Sequence, residues 1–153
     1  MKKLALILAL VCLLGALSAC GAAKEPDPAA VVDEIVSSLS IASPLDVPAE
    51  RLLALYGIAA EDIAASASFT TLDGGIFPDE VVIVKAVDAA ALGRVEQCLN
   101  NRLDNVMAQA QNYDPESLAV AQQCKVLTQG SYAALFLSPQ HEAMEAIFAE
   151  SFQ

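Results

Sequence analysis

Few side chains in this chain could do chemistry: four cysteines, one histidine and nineteen carboxylates among 153 residues. A structural zinc site needs about four Cys, His or carboxylate ligands, commonly with a Cys-x-x-Cys pair. Cys98 and Cys124 stand far apart and form no such pair. The single histidine, His141, falls in the first turn of the last expected helix, where the helix dipole disfavours imidazolium. It therefore reads as neutral and partly packed. No Gly-x-Ser-x-Gly elbow is present, and Ser131 after Gly130 reads as a turn residue. There is no Asp-x-Asp-x-Asp-Gly calcium loop and no glycine-rich phosphate loop. Glu61 with Asp62 and Asp79 with Glu80 could hold a cation weakly, but read as solvated loop ends. No catalytic residue, metal site or cofactor is expected from these patterns. A carboxylate-based enzyme would have to draw on scattered acids such as Asp79, Glu80 and Asp114.

Cys98 and Cys124 are candidates for a disulfide if the chain functions outside the cytoplasm. Cys98 lies on the flank of a long amphipathic helix, and Cys124 just ahead of a strand. Closing a loop of about 25 residues would stabilise the fold by roughly 3 kcal/mol in the entropy model. Two separate reduced thiols are the other reading.

Cys20 is different in kind. Lys2 and Lys3 precede an apolar run over residues 4–17, and then come Ser18, Ala19, Cys20 and Gly21. The run is shorter than the roughly 20 residues of a permanent membrane helix and suits a secretory segment. Cys12 within it reads as apolar filler. The tetrad Leu17, Ser18, Ala19 and Cys20 resembles the lipobox of bacterial lipoproteins. That resemblance implies cleavage before Cys20 and acylation of its thiol, several chains at one residue giving stable anchoring. Two other readings stay open: cleavage after Ser18, or an uncleaved anchor. The expected division is a signal peptide over residues 1–19, a lipidated terminus and polar tether over 20–30, and one domain over 31–153.

Loss of Lys2 and Lys3 with the signal would move the formal net charge from −11 to about −13. Nucleic-acid binding needs clustered Lys and Arg to displace phosphate counterions, and no such cluster exists. Attraction to anionic lipid headgroups is excluded for the same reason.

The elements that must position these residues follow from periodicity. Asp27 and Pro28 read as a cap and first turn, opening a helix with Val32, Ile35, Val36 and Leu39 on one face. Two prolines, Pro44 and Pro48, interrupt the chain before a short helix stopped at Gly57. Residues 62–72 alternate weakly as a strand, and the Asp-Gly-Gly of 73–75 marks a turn. Residues 81–84 are an unbroken apolar run, which reads as a strand covered on both faces. Asp88 caps a long amphipathic helix reaching about residue 113, and Asp114 with Pro115 starts another. A hairpin turning at Gln129 and Gly130 follows. In it Tyr132, Ala134 and Phe136 face one way and Ala133, Leu135 and Leu137 the other. Ser138 and Pro139 read as the cap of a last helix with Met144, Ile147, Phe148 and Phe152 as its stripe. The expected fold is α+β: a four-stranded, mostly antiparallel sheet in the order strand-strand-helix-strand-strand-helix, with helices mainly on one face.

Three blocks, "GGIFPDEVVIVKAVDAAAL", "QAQNYDPES" and "KVLTQGSYAALFLS", occur in that order. Together they resemble a family of bacterial lipoproteins described as domain of unknown function 4358, over roughly residues 33–150. The resemblance implies an envelope location and one compact domain, and carries no activity or catalytic residue. The expected function is a membrane-anchored, extracytoplasmic, non-enzymatic lipoprotein that binds an unidentified envelope protein or a small ligand. The alternatives are a wall- or peptide-processing enzyme using Asp and Glu, or a minor substrate-binding component of a transporter.

Overall fold

The computed structural model describes residues 24–72 and 78–153. Cys20, the turn at 73–75 and Phe77 lie outside the described residues.

Helix α1 spans Pro28–Ser38, where the Asp27 carboxylate accepts from the Ala29 amide at 3.2 Å and Pro28 opens the first turn. Strand β1, Pro44–Asp46, leads through a 3₁₀ turn over Ala49–Arg51 into α2, Leu52–Tyr56. Gly57 stops α2 with φ of 77°, a left-handed value that costs glycine nothing. Strands β2, Ile63–Thr71, and β3, Glu80–Ala86, precede the 25-residue α3, Ala89–Tyr113, capped by Asp88. Helix α4, Pro115–Ala121, strands β4, Val126–Gln129, and β5, Tyr132–Leu137, and helix α5, His141–Glu150, complete the chain.

The strands form one sheet in the order β1-β2-β3-β5-β4, and every neighbouring pair is antiparallel. Since β5 sits antiparallel between them, β3 and β4 run in the same direction. Strands so related need a long crossover, which α3 and α4 provide.

Both faces of the sheet are covered. Val82 and Val84, with Ala133, Leu135 and Leu137, pack against Val95, Leu99 and Val106 of α3 and against Leu52 and Tyr56 of α2. Val81 and Ile83, with Tyr132, Ala134 and Phe136, pack against Val31 and Ile35 of α1 and Met144 and Phe148 of α5. All four residues of the run over 81–84 are fully buried.

The structure corrects the expected fold in two respects. The sheet among the described residues has five strands, not four. The extra one, β1, is three residues long and wholly exposed, so it has no buried alternation to read, and Pro44 argues against a strand except at a sheet edge. The helices also flank the sheet on two sides rather than mainly one. Unbroken apolar strands leave both faces in need of cover, and α1 and α5 supply the second layer.

Two boundaries also move. Helix α5 begins at His141, because the Ser138 hydroxyl is used to accept from the Gln140 amide one turn earlier. Helix α1 starts at Pro28 as the Asp-Pro pair indicated, so residue 31, the expected start of the domain, falls inside it, and Glu25 before it pairs with Lys85.

Truncating one side chain in each layer tests whether the two layers are one cooperative unit. Ile83→Ala and Leu99→Ala are each expected to lower the unfolding free energy by about 3 kcal/mol. Urea unfolding followed by circular dichroism should keep a single transition in both variants.

Candidate functional site

A cleft that sets carboxylates over an apolar floor lies at the sheet end where β3 begins and β5 ends, Glu80 being paired with Leu137. Its volume is about 330 Å³. Val106 of α3, Val120 and Ala121 of α4 and Leu137 of β5 form an apolar floor. Asp79, Glu80, Glu116, Ser117 and Ser138 supply the polar groups, and among the described residues no Lys or Arg lines it.

Each polar group is placed by a local device. Asp114 caps α4: its carboxylate accepts from the Ser117 amide at 3.0 Å and from the Ser117 hydroxyl at 2.7 Å. The Ser117 hydroxyl and amide together hold the Asp114 carboxyl below the usual carboxylate range. That cap sets the first turn of α4, and with it Glu116 and Ser117 at the rim. Asp79 is tied to the end of β2, its amide donating to Thr71 Oγ1 at 3.1 Å. The buried Ser138 hydroxyl donates to Asp79 Oδ2 at 2.9 Å.

Glu80 is buried, and both of its oxygens accept from the Arg102 guanidinium, Nε donating to Oε2 at 3.0 Å. The Arg102 guanidinium also lies 5.9 Å from the centroid of the Tyr56 ring. Burial pushes the Tyr56 phenol upward, with the charge of Glu80 adding to it. At the other end of the sheet, Asp62 is buried and accepts from Arg94 Nε at 3.1 Å and Nη2 at 2.5 Å. The Arg94 hydrogen bonds hold the Asp62 carboxyl below its ordinary range.

Asp62 and Glu80 were expected as solvated loop ends. They are instead the acids of two ion pairs reaching across to α3. The sequence signal was present on the cationic side: Arg94 and Arg102 are eight residues apart, so they project from the same side of the helix.

His141 is buried at the start of α5, its Nδ1 3.2 Å from Glu145 Oε1, and Lys125 Nζ approaches the other Glu145 oxygen at 3.1 Å. The Ser138 hydroxyl donates to Asp79 rather than to this imidazole, so no activated serine is assembled here. Among the described residues no group of three or more His, Cys, Asp or Glu side chains is arranged to hold a metal ion.

Cys98 and Cys124, the candidate disulfide pair, are both free thiols in this structure. Cys98 Sγ donates to Gly57 O at 3.4 Å, beside the end of α2, and Cys124 Sγ to Val120 O at 3.3 Å, one turn back in α4. Both touch the same apolar layer but lie toward opposite ends of the sheet, Cys98 near Asp62 and Cys124 near Asp79. Burial pushes both thiols up, which keeps them protonated and poorly nucleophilic.

The three sequence blocks that stood out converge on the cleft. Pro78, Asp79 and Glu80 come from the first, Glu116 and Ser117 from the second, and Leu137 and Ser138 from the third. A family model described as "Domain of unknown function (DUF4358)" matches residues 37–138, which take in all of these positions. No curated protein and no solved structure matches the chain.

Removing one partner of a buried ion pair leaves the other charge without compensation. Arg102→Met is expected to cost about 3 kcal/mol of stability, and adding Glu80→Leu to recover most of it. Urea midpoints of the single and double variants measure both effects.

Proposed function

We propose that this chain, which belongs to the DUF4358 family, is an extracytoplasmic lipoprotein, held to the cell membrane by lipid on Cys20. Its domain binds a small amine-bearing ligand in the cleft between β3, α4 and β5 and performs no catalysis.

The observation that carries the binding reading is the composition of that cleft. A volume of about 330 Å³ with an apolar floor suits a small molecule. Among the described residues its lining brings three carboxylates and no basic side chain. Arg102 neutralises one of them, Glu80, which leaves Asp79 and Glu116 to set the sign of the field. A protonated amine on a short apolar body complements that arrangement, since its charge meets carboxylates and its carbon skeleton covers Val120 and Leu137. The non-catalytic reading rests on how the reactive groups are used. Asp114 caps a helix, Glu80 pairs with arginine, and Ser138 donates to Asp79. The anchoring reading rests on the charged start, apolar run and Leu-Ser-Ala-Cys tetrad of residues 2–20. No helix among the described residues is long and apolar enough to cross a membrane.

Cys20→Ser is expected to move the chain from the membrane pellet to the soluble fraction; a variant that stays in the pellet overturns the anchoring. For the ligand, a thermal-shift series of short diamines and amino-acid amides is expected to raise the melting temperature. Carboxylic acids of equal size should not. Glu116→Gln is expected to weaken amine binding about tenfold, or about 1.4 kcal/mol. The absence of any shift with amines, or turnover of one of them, overturns the reading.

A further inference from the structure

The start of the folded chain is fastened to one end of the sheet. Glu25 Oε2 accepts from Lys85 Nζ at 2.7 Å, and the carbonyl of Pro26 accepts from the buried Tyr132 hydroxyl at 2.8 Å. Lys85 and Tyr132 are register partners on β3 and β5, with the ammonium 5.7 Å from the ring centroid. The ring is held in turn edge-on against Phe152 at 5.1 Å. The chain thus leaves the domain at a fixed place, beside the Gln129–Tyr132 end of the β4–β5 hairpin.

Five residue steps separate Cys20 from Glu25, and a fully extended chain covers at most about 18 Å in that many. The cleft is at the other end of the same strands, where Glu80 pairs with Leu137. Five residues of strand, from Lys85 back to Glu80, put it about 17 Å further on.

Resting on the lipid-anchor reading above, we propose that the domain stands on the membrane by its Lys85–Tyr132 sheet end. The partner of that end is the bilayer surface, and the cleft opens outward, away from it. A ligand would then reach the cleft from the extracytoplasmic side without passing between domain and lipid. The exposed Val87 and the hairpin turn at Gly130 belong to the membrane-facing end.

Energy transfer to the bilayer tests this. Full-length lipidated chain, purified from membranes, carries a fluorescent unnatural side chain at position 129 or at position 116, both exposed. It is placed in phosphatidylcholine–phosphatidylglycerol vesicles that contain a headgroup acceptor dye. Transfer from position 129 is expected to be at least twofold more efficient than from 116. Equal or reversed transfer in chain that co-floats with the vesicles overturns the orientation and leaves the anchor standing. Chain that does not co-float overturns the anchor, and the orientation with it. Lys85→Ala with Tyr132→Phe removes both fastening contacts while keeping the packed ring. The two efficiencies are then expected to converge; an unchanged ratio overturns the clamp as the cause of the orientation.

Discussion

The fold depends on one strand whose apolar run no solvent reaches. Val81, Val82, Ile83 and Val84 are all fully buried, so β3 needs an apolar layer on each face and a hydrogen-bonded strand on each edge. Burying four such side chains contributes roughly 1.5–3 kcal/mol apiece, which makes β3 a leading source of the stability of a domain this size. The other elements can be understood as answers to that demand. Strands β2 and β5 cover its edges, α3 with α2 and α4 covers one face, and α1 with α5 covers the other.

Helix α3 adds a second constraint, because it carries the cations for both ends of the sheet. Arg94 meets Asp62 just before β2, and Arg102 meets Glu80 at the start of β3. Each acid is buried and each arginine more exposed, so the long side chains keep their heads partly wet while reaching inward. The pairs fix the register of helix on sheet more than they add net stability, since desolvation offsets much of the attraction. They also shape the cleft: with Glu80 drawn toward Arg102, the carboxylates at its mouth without a cationic partner among the described residues are Asp79 and Glu116.

Several of the polar groups serve the backbone. Asp88, Asp114 and Asp27 satisfy helix N-termini, Ser138 joins Asp79 to the α5 approach, and both cysteines donate to carbonyls. A polar group buried without a partner is costly, so a small domain with few buried polar atoms uses nearly all of them. Thr70 Oγ1 is the one buried side-chain oxygen without a partner among the described residues.

Local pattern alone determined most of the elements. Asp-Pro caps, Gly57 and Gly130 at positive φ, the stripe of α3 and the alternation of β5 are properties of neighbouring residues, and each is where the sequence placed it. The apolar run at 81–84 even required cover on two faces, although the helices were expected mainly on one. Tertiary structure decided what periodicity cannot encode. It recruited the exposed β1, whose three residues have no buried face to reveal them. It also sent Asp62 and Glu80 to arginines 32 and 22 residues away and set Cys98 and Cys124 toward opposite ends of the sheet. The cleft too is a product of folding, since its three segments meet only when β5 inserts beside β3. Spacing along a chain reports which side of an element a residue occupies; which distant side chain it meets depends on how the layers close over β3.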